Sequence, residues 1–453
     1  MRRSGSPGTT GVGAKARRWG RAGGWAIADR ALFSLSNFLI SLLLARWLSE
    51  SAYGTFALAL AAFLLAGALH GGWVTEPLLV FGSSRYKERF AEYVGFLLRR
   101  HLRFSLWAIM AGLGLALAAR VIGRPEAGLA LAAATLATPW ILLQWLGRLA
   151  CYASVGPRRA AIAGGVQLLL VVVGLVGFEH FGVLSTEAAF GLLGFSGGLT
   201  GALLVFSLRP RWKVDPIFTD EARVLHRRYG GWAASTGLLT WIPGQVYYVV
   251  LPAVGAVAAA GNLRALMNLV LPLMQAYVAL STVLTTALAR VRGTPRFGRV
   301  VGYAAAGLAL GALAYAAMLL AAGPVVMTWL YKGRYDDLAQ LLPIVAVIPL
   351  LGVGASVLAP ALRALERPDL VFVAYAASTV SSLTVGMVLM VRFGVAGAAG
   401  GLVISTAVTT VILGWKLVTT RSRGSGHAPG GRSADVSTGS VSGSSTIANS
   451  ASE

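Results

Sequence analysis

The sequence predicts an all-α integral membrane protein of about twelve transmembrane helices, set as two six-helix halves around a central cavity. Three observations carry that expectation. Hydrophobic residues make up 56% of the chain and charged residues 12%, against about 25% charged in an ordinary soluble domain. Apolar runs such as Ala108 to Ala119, Val166 to Gly177 and Leu341 to Leu362 recur along the chain, each able to join a span of the roughly 20 residues that cross a bilayer. These runs are apolar all round and lack the every-second-residue alternation of an outer-membrane barrel. Helices are then the way to satisfy the backbone in lipid. The third observation is where the positive charge lies.

Cutting at charge clusters, prolines and glycines gives the spans in order. A basic cytoplasmic tail, 1–23, precedes the first, 24–45. Residues 1–20 hold no short apolar core ending at a small-residue cleavage site, so they read as a tail and not as a signal peptide. The second span, 53–76, runs from Tyr53-Gly54 to Glu76-Pro77, and the third, 96–119, ends at Arg120. The fourth to sixth follow at 128–150, 160–178 and 187–208, closing an N-terminal half over 24–208. A cytoplasmic linker, 209–231, leads to the seventh to twelfth spans at 232–251, 262–289, 300–322, 338–360, 369–391 and 394–417. These form a C-terminal half over 232–417, and the Ser- and Gly-rich 418–453 reads as a disordered tail. Pro139, Pro243, Pro272, Pro343 and Pro349 predict kinks. Gly67/Gly71, Gly194/Gly198, Gly307/Gly311 and Gly397/Gly401 predict close helix approaches.

On this layout 31 of the 39 basic residues fall in the tails and even-numbered loops, six in odd-numbered loops, and Arg30 and Arg264 inside spans. The positive-inside rule therefore puts both termini in the cytoplasm. It also explains the net charge of +22: the charge sets topology and meets anionic lipid headgroups, so no nucleic acid is expected as a partner. An internal repeat supports two halves in the same orientation. Tyr53-Gly54 opens the second span as Ala260-Gly261 opens the eighth, and Gly156-Pro157 and Arg367-Pro368 follow the fourth and tenth.

Two sets of polar residues inside spans are candidate cavity residues, because ionisable groups in a membrane are costly and usually face an interior. On the first span Arg30, Ser34, Asn37 and Ser41 form a stripe at helical spacing, with Asp29 beside Arg30. On the eighth, Arg264, Asn268, Gln275 and Thr282 do the same. Guanidinium groups suit phosphate, which they meet bidentately. The stripes read equally as helix-packing glue, and Arg264 as a snorkelling interfacial residue. Gln245, Gln144, Arg148, Gln167, Arg46 and Glu76 are single polar residues of weaker claim. Tyr247, Tyr248 and Trp241 read either as sugar-stacking rings or as an interfacial aromatic belt.

The stretch Asp29-Arg-Ala-Leu-Phe-Ser-Leu-Ser-Asn37, then Leu44-Ala-Arg-Trp-Leu48 and Ala52-Tyr-Gly-Thr-Phe-Ala57, resembles the opening of bacterial polysaccharide transporters. The Leu365-Glu-Arg-Pro368 turn is consistent with it. These are the lipid-linked oligosaccharide flippases of O-antigen type, within the superfamily that also holds multidrug and toxin extrusion antiporters. The resemblance implies a protein of the bacterial cytoplasmic membrane that moves a lipid-linked, pyrophosphate-bearing oligosaccharide by alternating access. Its expected partners are that substrate, membrane lipids and pathway glycosyltransferases or a polymerase.

No catalysis and no cofactor are expected: the chain has no P-loop, and a single cysteine, Cys151, leaves no disulfide and no Cys-based metal site. A membrane glycosyltransferase or polymerase would need acids on a folded outer loop, where Asp336-Asp337 is the candidate pair and a helix N-terminus is the simpler reading. A cation-coupled antiporter would need carboxylates in the membrane, and the acids nearest to that are Asp29 and Glu76, both close to span ends.

Overall fold

The computed structural model describes residues 10–212 and 215–425, and of these the side chains of 10–22, 282 and 421–425 are left undescribed. The expected tails therefore lie outside the described residues over 1–9 and 426–453, and what is described of them, 10–23 and 418–425, is helical. The helices are α1 (Thr10–Trp47), α2 (Glu50–His70), α3 (Glu76–Gly82), α4 (Phe90–Val121), α5 (Pro125–Ser154), α6 (Pro157–His180) and α7 (Thr186–Ser207). The second half comprises α8 (Pro216–Val254), α9 (Ala258–Arg290), α10 (Arg296–Tyr331), α11 (Leu342–Ala364), α12 (Pro368–Ser381) and α13 (Met387–Ser425). No strand occurs among the described residues.

Among the described residues eleven continuous helical runs are long and apolar enough to cross a membrane, and the last covers 53 residues, Pro368–Thr420. Straight, that run would measure about 80 Å, far beyond a bilayer core of about 30 Å. It breaks at Gly394, whose φ of 56° and ψ of −127° suit a residue without Cβ. The chain then returns on itself. Ser378 donates to the Ser405 carbonyl at 3.0 Å, and a Cβ on Gly401 would lie 3.0 Å from Gly386 Cα. With that break, the described residues hold twelve helical segments of spanning length. Large apolar side chains such as Trp107, Leu117, Leu203 and Val411 stand exposed on the outside, as expected of a molecule whose solvent is lipid. This is a multi-pass membrane protein.

Local chemistry explains the irregular places. The second span bends through a π-helical turn, Gly71–Thr75, ahead of Pro77. Pro77 has no N–H to give the Trp73 carbonyl, which instead accepts from Arg100 Nε at 3.0 Å and lies 3.2 Å from His226 Nδ1. The expected linker is helix from Pro216 onward. Asp215 caps it by accepting from the Ile217 N–H, Pro216 opens it, and Phe218, Ala222 and His226 bury one face at i, i+4 and i+8. That face packs with Tyr93 and Phe96 of α4. Pro343 likewise opens α11 and does not kink it.

The halves meet along α2 and α9. A Cβ on Gly54 would stand 2.1 Å from the Val257 carbonyl oxygen, and one on Gly261 would stand 2.9 Å from Gly54 N. Gly54 and Gly261 are the two residues that the sequence sets side by side as a repeat, and here Gly261 packs on the Gly54 backbone. On the same side, away from the termini, the Arg334 guanidinium donates to the carbonyls of Ala45, Arg46 and Leu48. Arg124 reaches the Pro252 carbonyl there as well.

Candidate functional site

A cavity of about 420 Å³ lies between α1, α2, α5, α6 and α7 of the first half and α8 and α9 of the second. Asp29, Arg30, Asn37 and Ser41 line it from α1, Gln245 from α8, and Arg264 and Gln275 from α9. The two polar stripes therefore face one space. Eleven residues separate Arg30 from Ser41, a rise of about 16 Å, so the polar wall runs along more than half the depth of a bilayer core.

Ser34 and Asn268 are not in the wall. The lined face of α1 runs through Asp29, Phe33, Ser36, Asn37 and Ile40, and Ser34 falls just past its edge on the helical wheel. Asn268 is buried behind Arg264, where its Oδ1 accepts from Ser41 Oγ at 2.7 Å and its Nδ2 donates to Tyr53 Oη at 3.0 Å. Ser41 and Tyr53 close the triangle at 2.9 Å. This polar triangle joins α1, α2 and α9, hence both halves, at the end of the cavity away from the termini. The Thr282 side chain lies outside the described residues.

The electrostatics are decided by a residue grouped with a basic loop in the sequence. Arg148 belongs to α5 and faces the cavity. Its Nη2 lies 2.7 Å from Asp29 Oδ2 and its Nε donates to both carboxylate oxygens at 3.0 and 2.9 Å. Tyr152 Oη donates to the same carboxylate at 2.7 Å, and Asp29 is 1% exposed. The negative charge of Asp29 is thus matched by Arg148. Arg30 remains with its buried Nε unpartnered, and Arg264 meets neutral groups, donating to Ser41 Oγ at 3.3 Å and lying 6.0 Å from the centre of the Tyr248 ring. Among the described lining residues two guanidinium charges stand unbalanced. A low-dielectric space holding uncompensated cations favours an anionic occupant.

Amides and rings complete the wall. Gln144 is buried with its Oε1 unpartnered, and Gln167 joins it from α6. Phe33 lies under the Arg148 guanidinium at 4.5 Å. A signal for α5 was present in the sequence as Gln144, Arg148 and Tyr152 at i, i+4 and i+8, one helical face. The other candidates do not reach the cavity. Tyr247 and Tyr248 are core residues, 0% and 3% exposed, and Trp241 Nε1 donates to the Ala61 carbonyl at 3.0 Å. Arg46 and Glu76 do not line it. Asp336 accepts from Thr328 Oγ1 at 2.9 Å within a short helical turn. No cluster of three or more His, Cys, Asp or Glu occurs among the described residues.

No protein-family model matches the chain, and no curated protein matches it in sequence. Solved structures do match in fold. An inward-facing multidrug resistance MATE family transporter of the MOP superfamily superposes with a TM-score of 0.72, at 17% identity over 87% of this chain and 96% of that one. The lipid II flippase MurJ in an inward closed conformation gives 0.71, at 14% identity over 87% of each chain. An outward-facing MATE family transporter gives 0.59, at 16% identity over 88% and 94%. The chain has the fold of MOP superfamily transporters.

Proposed function

We propose that the protein is a flippase that carries a lipid-linked, pyrophosphate-bearing oligosaccharide across the bacterial cytoplasmic membrane by alternating access. One observation carries this reading: a cavity between the halves lined by two guanidinium groups without carboxylate partners, Arg30 and Arg264. A pyrophosphate offers a strong counter-charge, and guanidinium binds it through paired N–H donors. Basic loops and both termini lie on the cytoplasmic side. The joined α2–α9 seam on the opposite side, and the higher score against the inward-facing than the outward-facing MATE structure, support an inward-facing arrangement. Rocking of the halves about that seam would carry the headgroup through while the lipid tail stays in the bilayer. No bond is made or broken.

The test is translocation of a fluorescent polyprenyl-pyrophosphate oligosaccharide in proteoliposomes, with Arg30→Ala and Arg264→Ala at equal reconstitution. Each loss removes a charge-assisted contact worth about 1.5–3 kcal/mol, so a fall of about tenfold or more is expected. Native rates in both variants would overturn the reading.

The cation-coupled antiporter is the competing reading: such a site holds its cation on an acid, and Asp29, here paired with Arg148, is the carboxylate among the described lining residues. Asp29→Asn abolishing transport while Arg264→Ala spares it would select the antiporter.

A further inference from the structure

The second half has a cavity of its own. It measures about 700 Å³, inside the range of about 300–1,000 Å³ usual for small-molecule sites, and lies between α8, α9, α11, α12 and α13. It shares two walls with the cationic cavity. Pro243 and Gly244 face it where Gln245 faces the other, and Met274 faces it where Gln275 faces the other.

Its chemistry is different. Among its described lining residues there is no carboxylate, and the charged one is Arg363 in the last turn of α11. The polar surface is made of hydroxyls, and most have committed their single proton to the backbone. Ser281 donates to the Ser356 carbonyl at 2.9 Å, Ser356 to Gly352 at 2.7 Å, Thr406 to Leu402 at 2.7 Å and Thr409 to Ser405 at 3.0 Å. A hydroxyl that has donated keeps lone pairs and can only accept. The wall is therefore chiefly an acceptor surface. A phosphate brings no donor to such a surface. An organic cation would meet Arg363 and no acid. A molecule bearing many neutral O–H donors fits it, and a sugar is that molecule.

Tyr277 makes the same point from the donor side. It lines this cavity, is 3% exposed, and its phenolic oxygen has no hydrogen-bond partner. An unpaired buried hydroxyl costs about 1–3 kcal/mol, and a turn of the ring that presented it to a ligand oxygen would remove that cost. Tyr277 and Tyr375 also bring rings to the wall, the apolar surface that the C–H face of a pyranose covers.

We infer that this cavity binds the neutral glycan of the substrate while the cationic cavity beside it binds the pyrophosphate, each half taking one chemical part. The inference rests on the flippase reading. In this reading both parts bind at once, in neighbouring cavities that have α8 and α9 as walls.

The experiment measures binding to the full chain in lipid nanodiscs with two probes: polyprenyl pyrophosphate, and the same lipid carrying a neutral tetrasaccharide. The tetrasaccharide probe is expected to bind about tenfold tighter. Tyr277→Phe, and separately Thr406→Val, should each reduce that advantage about two- to tenfold, the range of one hydrogen bond, and leave the bare pyrophosphate probe unchanged. Arg264→Ala should weaken both probes. Equal affinity of the two probes for the native chain, or an undiminished advantage in both hydroxyl variants, overturns the glycan site and leaves the flippase reading standing. Failure of either probe to bind, or indifference of the bare probe to Arg264→Ala, overturns the flippase reading and the glycan site with it.

Discussion

Removing the Asp29 carboxylate strands a guanidinium. Arg148 is 12% exposed at its side chain and makes its ion pair with Asp29, and breaking one partner of a buried pair costs about 3–5 kcal/mol. Asp29→Ala should therefore lower the unfolding temperature in detergent markedly, whereas Asp29→Leu combined with Arg148→Met should recover much of the loss. If the single variant melts like the native protein, the pair is structurally idle. Residues of this kind divide by how local their information is. Arg30 and Asn37 could be read from sequence because a charge or amide inside an apolar span is conspicuous by itself. Arg148 could not, because it lies near a span end among basic loop residues and its partner is 119 positions away. Ser34 and Ser36 differ only by which edge of one helix the cavity takes.

Helices carry a second set of expectations, and glycine shows where tertiary contact decides. Gly54→Val should prevent assembly, since its Cβ would strike the backbone of Val257; well-folded protein on size exclusion would contradict the α2–α9 seam. Gly307→Ala should be neutral or raise stability by up to about 1 kcal/mol, because nothing lies near that position and alanine is the better helix former. Both glycines sit in apolar, glycine-rich helices, so the pattern that marks a seam does not reveal whether a neighbour is there. Gly194 and Gly397 do meet other backbones, at Ala137 and Leu389, while Gly307 and Gly311 face open space. At the helix ends, Arg292 of the α9–α10 turn pairs with Glu366 of the α11–α12 turn. That contact holds the Glu366 carboxyl below its ordinary range. A depressed carboxyl stabilises the fold above its unfolded value and loses that contribution as pH falls through the folded one. The unfolding temperatures of the native chain and Glu366→Gln should thus differ slightly at pH 7 and converge in acid; a gap that persists in acid would mean the pairing is not the cause.

For the whole molecule the seam on the side away from the termini is where side chains of one half grip the backbone of the other. Arg334 reaches from the α10–α11 turn to the end of α1, bridging the halves. Arg334→Ala should loosen that side, speeding hydrogen exchange over residues 44–57 by about tenfold, the size of a charge-assisted bond. Unchanged exchange would place the closure elsewhere. Orientation is checked separately: a reporter fused at Ser185 should lie outside the cell and one at Asp220 inside, and the reverse would invert the cytoplasmic assignment of the termini.

The sequence by itself determined that the chain is helical and membrane-embedded, with about twelve segments long and apolar enough to span a bilayer. This follows from the cost of placing polar groups in hydrocarbon, which acts on every residue locally and leaves a periodic record. Tertiary structure decided which polar residues share a space, that Asp29 is matched by Arg148, that 216–231 folds as the start of α8 onto α4, and that a hydroxyl-lined cavity adjoins the cationic one. Those outcomes depend on helix rotation and on partners distant in the chain, to which composition and spacing along one helix are blind.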